Sequence, residues 1–226
     1  MRLQSINGLA GFALIVGPVV TVVAYLFQPG GMLIASAEAS DAAGSIAALV
    51  ENRALANFTS LLIAACLTLT LFGYHILLRG VRGGGIGRVS AHFGYLMLTV
   101  GVFGWILMQG LALGMTHETV QPAAAIFAVQ FSIGLIAGLA VALGFLLLSL
   151  GLPAREGYGR PVALAVAVIS AIALLSQVVG ISDPALYDTM VTITRACYFL
   201  WVAWSAVLGA QLFRQSEFSA GASEND

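Results

Sequence analysis

"LANFTSLLIAACLTLTLFGYHILLRGVRGGGIGR", residues 55–88, decides how this chain is built. Residues 55–78 carry no Asp, Glu, Lys or Arg, and 79–88 carry three Arg among five Gly. A bilayer core of about 30 Å is crossed by about 20 apolar residues in a helix, so the first part predicts a membrane span. Arg-rich short loops stay on the cytoplasmic side, so the second part predicts which end of that span faces inward.

The same pattern recurs outward from this stretch. Five further apolar runs lie at 7–27, 91–114, 123–150, 161–180 and 188–213. Of the 226 residues, 60% are hydrophobic and 8% charged, against roughly 25% charged in soluble domains, so almost nothing is left for a soluble unit. The expectation is all-α: one polytopic bundle of six transmembrane helices filling residues 1–215. With both termini cytoplasmic, Arg2, Arg79, Arg82, Arg88, Arg155, Arg160 and Arg214 share the inner side. Only Arg53 and Arg195 then fall toward the outside, together with Glu38, Asp41, Glu51, Glu118, Asp183 and Asp188. A net charge of −1 gives no reason to expect nucleic acid as a partner.

Residues 28–54 form the longest extramembrane stretch. Ile46, Leu49 and Val50 recur at helical spacing after Ser40 or Asp41 as a cap, which predicts a short amphipathic helix lying over the outer end of the bundle. Ala35-Ser36-Ala37 offers a signal-peptidase pattern. The apolar run before it exceeds a usual signal core, so 7–27 is read as a retained span. The polar residues 216–226 read as a disordered cytoplasmic tail. The Gly-rich loop 79–88 is not a Walker loop, because no Gly-Lys-Ser/Thr follows. It is not a dinucleotide fingerprint, because no strand precedes it; its arginines suit anionic lipid headgroups. Gly110 with Gly114, and Gly134 with Gly138, have the small-xxx-small spacing of close helix contacts. Cys66 and Cys197 read as small buried apolar residues rather than half-cystines.

Arg195 is the costly residue. An arginine at mid-depth costs about 2.5–3.5 kcal/mol on insertion scales. It lies seven residues into its span, roughly 10 Å at 1.5 Å per residue, where a partner is expected. Asn57, Gln109, Gln130 and Gln177 fall at similar outer depth, and Tyr198 follows Arg195 by one turn. One expectation is therefore an outward-facing polar pocket of Arg195, Tyr198, Gln109, Gln130, Gln177 and Asn57. Arg195 would take a carboxylate or phosphate, since its donors form a fixed fork. The rival is a brace in which Arg195 pairs with Asp188 while the amides bond helix to helix.

His75 and His92 lie near the inner ends of adjacent antiparallel spans, the arrangement needed for two axial haem ligands. That is the one cofactor reading; otherwise no cofactor is called for. His117 beside Glu118, with Asp41 or Asp183, lacks any recognised metal-ligand spacing. No HExxH, GxSxG or buried carboxylate is present, so no catalytic constellation is read and a proton-coupled pump is disfavoured.

"GLAGFALIVGPVVTVVAYLF", the acidic outer segment after it, and "ENRALANFTSLLIAACLTLTLFGYHILLRG" resemble bacterial six-helix inner-membrane proteins grouped as a domain of unknown function. The resemblance covers the first third of the chain. It implies a multi-pass protein of the bacterial inner membrane and no particular activity or site residue. Three functions follow as expectations: a module binding or passing a lipid or small anionic solute; an accessory or structural subunit held by a membrane-protein partner or a second copy; and a b-type haem redox protein using His75 and His92. Membrane lipids are partners in all three.

Overall fold

The computed structural model describes residues 6–80, 85–152 and 160–222. Seven helices follow in order: α1 (Ile6–Phe27), α2 (Ala42–Glu51), α3 (Arg53–Arg79), α4 (Ile86–Met115), α5 (Val120–Gly151), α6 (Arg160–Ser182) and α7 (Tyr187–Ala222). A 3-10 turn, Pro184–Leu186, leads into α7. All but α2 are long and apolar enough to cross a membrane, so the chain is an all-α bundle of six membrane helices. Among the described residues there is no strand, only an isolated bridge between Pro29 and Ile34. Arg2, Arg82 and Arg155 lie outside the described residues.

Two boundaries differ from expectation. Helix α4 starts at Ile86, five residues before the apolar run at 91. Helix α7 continues to Ala222, so 216–222 are helical where composition suggested a disordered tail; 223–226 lie outside the described residues. Adding residues to an existing helix avoids the cost of nucleation, and Gln, Glu and Ala are good helix formers, so polarity alone does not end it.

The six long helices close into a ring. Helix α1 packs on α3 and on α7, and the rest pack in chain order: α3 on α4, α4 on α5, α5 on α6, α6 on α7. The tightest joint is α4 with α5. A Cβ added at Gly94 would lie 2.6 Å from the Leu148 backbone nitrogen, and one at Gly144 would lie 2.6 Å from that of Leu98. Gly101 meets the Ala137 carbonyl in the same way, and Gly151 the backbone of Ala91. Gly94 and Gly101 are seven residues apart, as are Gly144 and Gly151, the spacing of a left-handed seam. The small pairs singled out by four-residue spacing are elsewhere. Gly110 has nothing within 4 Å of an added Cβ, and Gly114 meets only Ile126 at 3.8 Å. On the outer surface of the ring, Leu96, Val100, Phe103 and Leu107 of α4 are exposed, the stripe expected against hydrocarbon.

Helix α2 lies over one end of the ring, hereafter the α2 end. Asp41 caps it, accepting from the Gly44 amide at 3.0 Å. Ile46 and Leu49 bury against Ala56, Ala112, Met115 and Ala123. Val50, expected on the same face, is 44% exposed, and Ala48 is buried instead. Ser40, the other cap candidate, turns away to α7. Before α2, the chain leaves α1 through a compact knot in which Leu33 donates to the Leu26 carbonyl and Gly30 donates to Ile34. Gly30 has φ +79°, where a side chain would be strained.

Away from the α2 end, the ring is filled by aromatic rings. Phe145 stacks on Trp201 with centroids 4.6 Å apart, and Tyr74 meets Phe145 edge-on at 6.0 Å. Trp204 also meets Phe145, at 6.0 Å. The Trp201 indole donates to Ser170 at 2.9 Å, and the Tyr74 hydroxyl bonds Ser205 at 2.6 Å. Cys66 and Cys197 are both buried and free.

Candidate functional site

Above this aromatic layer, toward the α2 end, the ring is hollow. A cavity of about 290 Å³ opens between all six long helices, at the small end of the roughly 300–1,000 Å³ usual for ligand pockets. Its lower wall is Trp105 edge-on to Tyr198 at 4.9 Å, with Tyr198 in turn edge-on to Trp201 at 5.1 Å. Its sides are chiefly apolar, from Ile63 of α3 to Phe131 of α5. Met32 and Ala39, from the segment joining α1 to α2, reach over its mouth.

A second, outer cavity of about 480 Å³ adjoins it, between residues 31–39 and the first turns of α7. Glu38, Asp188, Ser36, Thr189 and Thr192 make it polar. Met32, Ala39, Val191 and Arg195 belong to both cavities, so Arg195 stands at the neck between a polar vestibule and an apolar chamber.

Arg195 has no counter-ion among the described residues. Its guanidinium carbon lies 5.9 Å from the centre of the Tyr25 ring, within cation–π range. Its Nε is buried and makes no hydrogen bond. The pairing with Asp188 suggested by their spacing is not made. Asp188 faces the α1–α2 segment, accepting from the Ser40 amide at 3.2 Å and the Ser40 hydroxyl at 2.7 Å. Seven helical residues put the two about 10 Å apart along the axis, and Asp188 finds nearer donors first. An aromatic face supplies attraction but no acceptor, so the arginine keeps unused donors.

The amides divide between chamber and scaffold. Gln109, Gln130, Gln177 and Tyr198 all line the chamber. Gln109 also accepts from Gln28 at 2.8 Å, and Gln130 donates to the Met108 carbonyl at 2.8 Å, tying α5 to α4. Gln177 makes no such bond. Its amide lies over Gly138, where an added Cβ would come 2.5 Å from Nε2, and one at Gly134 would come 3.1 Å from the Met108 side chain, so these two glycines of α5 line the chamber and admit side chains of α6 and α4. Asn57 is the one expected site residue that is not there: it lines neither cavity. Its Oδ1 accepts from the Thr116 hydroxyl at 2.9 Å, clasping α3 to the end of α4.

Sequence reasoning missed three groups. Gln28 is buried and uses both amide hydrogens, one on Ser60 at 3.0 Å and one on Gln109. Tyr25 carries Arg195, and Thr21 turns a buried, unbonded hydroxyl on the chamber wall. The available signal was their spacing: Thr21, Tyr25 and Gln28 recur at four and three residues, a polar stripe along the last turns of α1 and just past its end.

The histidines lie elsewhere. His75 is exposed, with its ring 5.9 Å from that of Tyr95. His92 is also exposed, and its Nδ1 donates to the Arg88 carbonyl at 2.8 Å. Neither lines the two cavities. His117 is held against the Arg53 guanidinium, a cation where a metal would need an anion. Among the described residues, no three His, Cys, Asp or Glu gather as metal ligands. Compared with known proteins, the chain matches no family model, no curated protein and no solved structure.

Proposed function

We propose that this integral membrane protein binds, or passes, a lipid or small anionic solute through the chamber, with Arg195 as the anion anchor. One observation carries the reading: a guanidinium within the bundle, its Nε buried and unbonded, borders a hollow and pairs with no carboxylate among the described residues. A residue that only braced helices would have its charge matched, because an unmatched buried charge is expensive. An anion at the neck supplies that match through charge-assisted hydrogen bonds. The apolar walls suit the hydrocarbon part of the same molecule. By the arginine distribution, the α2 end is extracytoplasmic and the chamber opens outward, in a bacterial inner membrane.

The amide bonds favour a second reading, an accessory subunit whose polar groups only hold helices together. Gln28 to Ser60 and Gln109, Gln130 to Met108, and Thr116 to Asn57 all join different segments. Titration of dodecyl phosphate into the purified full chain separates the two. Arg195→Ala is expected to weaken binding at least ten-fold, about 1.4 kcal/mol, with little change in melting temperature. Unchanged affinity with a lowered melting temperature would instead identify Arg195 as a brace.

A further inference from the structure

The outer cavity specifies more than an anion. Its charged residues are Arg195 and Asp188 on the α7 wall and Glu38 on the facing segment. These opposite charges share one cavity and do not pair with each other. The Glu38 side chain, exposed beside the vestibule, makes no hydrogen bond among the described residues. Both Asp188 oxygens accept from Ser40, and each keeps a second acceptor site. Arg195 keeps donors, and the carboxylates keep lone pairs. Alpha-helical rise separates Asp188 from Arg195 by about 10 Å along α7, less the reach of the two side chains. A plain anion would meet one favourable charge and two unfavourable ones. A molecule whose own positive and negative groups are a few ångströms apart would meet all three favourably.

We propose that the site takes a zwitterionic amphiphile: its phosphate or carboxylate on Arg195, its ammonium between Glu38 and Asp188, and its hydrocarbon in the chamber above Trp105 and Tyr198. This inference rests on the binding reading above and narrows its ligand class. The order of the groups follows the order of the cavities. Carboxylates lie only in the vestibule, the arginine at the neck, and apolar walls beyond it. The chemistry is shared by a single-tailed lipid with an ethanolamine headgroup and by a small free zwitterion.

Three probes test it, by calorimetric titration of the full chain in an uncharged maltoside detergent. Lauroyl lysophosphatidylethanolamine carries anion, amine and tail; lauroyl lysophosphatidate lacks the amine; glycerophosphoethanolamine lacks the tail. The wild type is expected to bind the first about ten-fold more tightly than the second. Glu38→Gln, which removes no hydrogen bond, should cut that preference to about three-fold or less, by weakening lysophosphatidylethanolamine binding and relieving the repulsion on lysophosphatidate. Asp188→Asn should act in the same direction, and Arg195→Gln should weaken both lysolipids. If glycerophosphoethanolamine binds as well as its tailed counterpart, the zwitterion is a free solute; if it binds much more weakly, the zwitterion is a lipid. Equal wild-type affinity for the two lysolipids, with Arg195→Gln still weakening both, would overturn the zwitterion and leave the anion site standing. No binding of any probe would overturn both.

Discussion

Arg195 and Gln28 show two ways of keeping a polar group inside a membrane bundle. Gln28 is satisfied by protein, with both amide hydrogens on Ser60 and Gln109. Hydrogen bonds in membrane proteins are worth about 0.6 kcal/mol on average and up to about 1.7, and Gln28→Leu breaks two of them at once. It should lower stability by about 1–2 kcal/mol, read from the midpoint of denaturation in detergent. Arg195 is left to a ring face and to whatever enters the neck. Its exceptional status was legible from the sequence, because one charge in an apolar run needs no geometry to be noticed. The fates of Asn57 and Asp188 were not. Depth along a helix follows from counting, but which neighbour a side chain meets depends on how helices rotate about their axes. Asn57 was placed at the right depth and faces Thr116 instead of the chamber.

The long helices declare themselves by hydropathy, since the bilayer imposes one length on all of them. Helix α2 is held by weaker terms: a cap at Asp41 and two large buried side chains, Ile46 and Leu49. Removing a cap costs about 1 kcal/mol, a large share of what holds ten residues. Asp41→Ala should therefore speed amide hydrogen exchange across residues 42–51 without altering exchange in α3–α7. Ser40→Ala should act on the preceding segment instead, because it removes the hydroxyl bond to Asp188 and leaves only the amide bond. The α4–α5 seam was hidden from motif reading for a physical reason. A four-residue glycine motif is expected where two helices cross steeply. These two run alongside each other for many turns, and contact then recurs every seven residues.

For the molecule as a whole, two halves of the ring do different jobs. Toward α2 it is hollow and carries the polar groups. Away from α2 it is closed by Tyr74, Phe145, Trp201 and Trp204. Six spans were readable from apolar runs, because their length is set by the solvent rather than by packing. The hollow was not readable, since a cavity is what side chains fail to fill. The threading is testable by single cysteines on a background lacking Cys66 and Cys197. A cysteine at Ala43 should react with an impermeant maleimide in intact cells, and one at Gly80 should react only after permeabilisation. The reverse pattern would place the vestibule in the cytoplasm.

The three tryptophans make a built-in optical reporter. Trp105 and Trp201 both contact Tyr198, at the base of the chamber, and Trp204 lies one ring further down against Phe145. No other indole exists in the chain to dilute their emission. An amphiphile with bromine at the end of its tail should thus quench intrinsic fluorescence on entry, in the order Trp105 and Trp201 before Trp204. Single Trp→Phe replacements would resolve that order, so the protein can register its own occupancy without any attached dye.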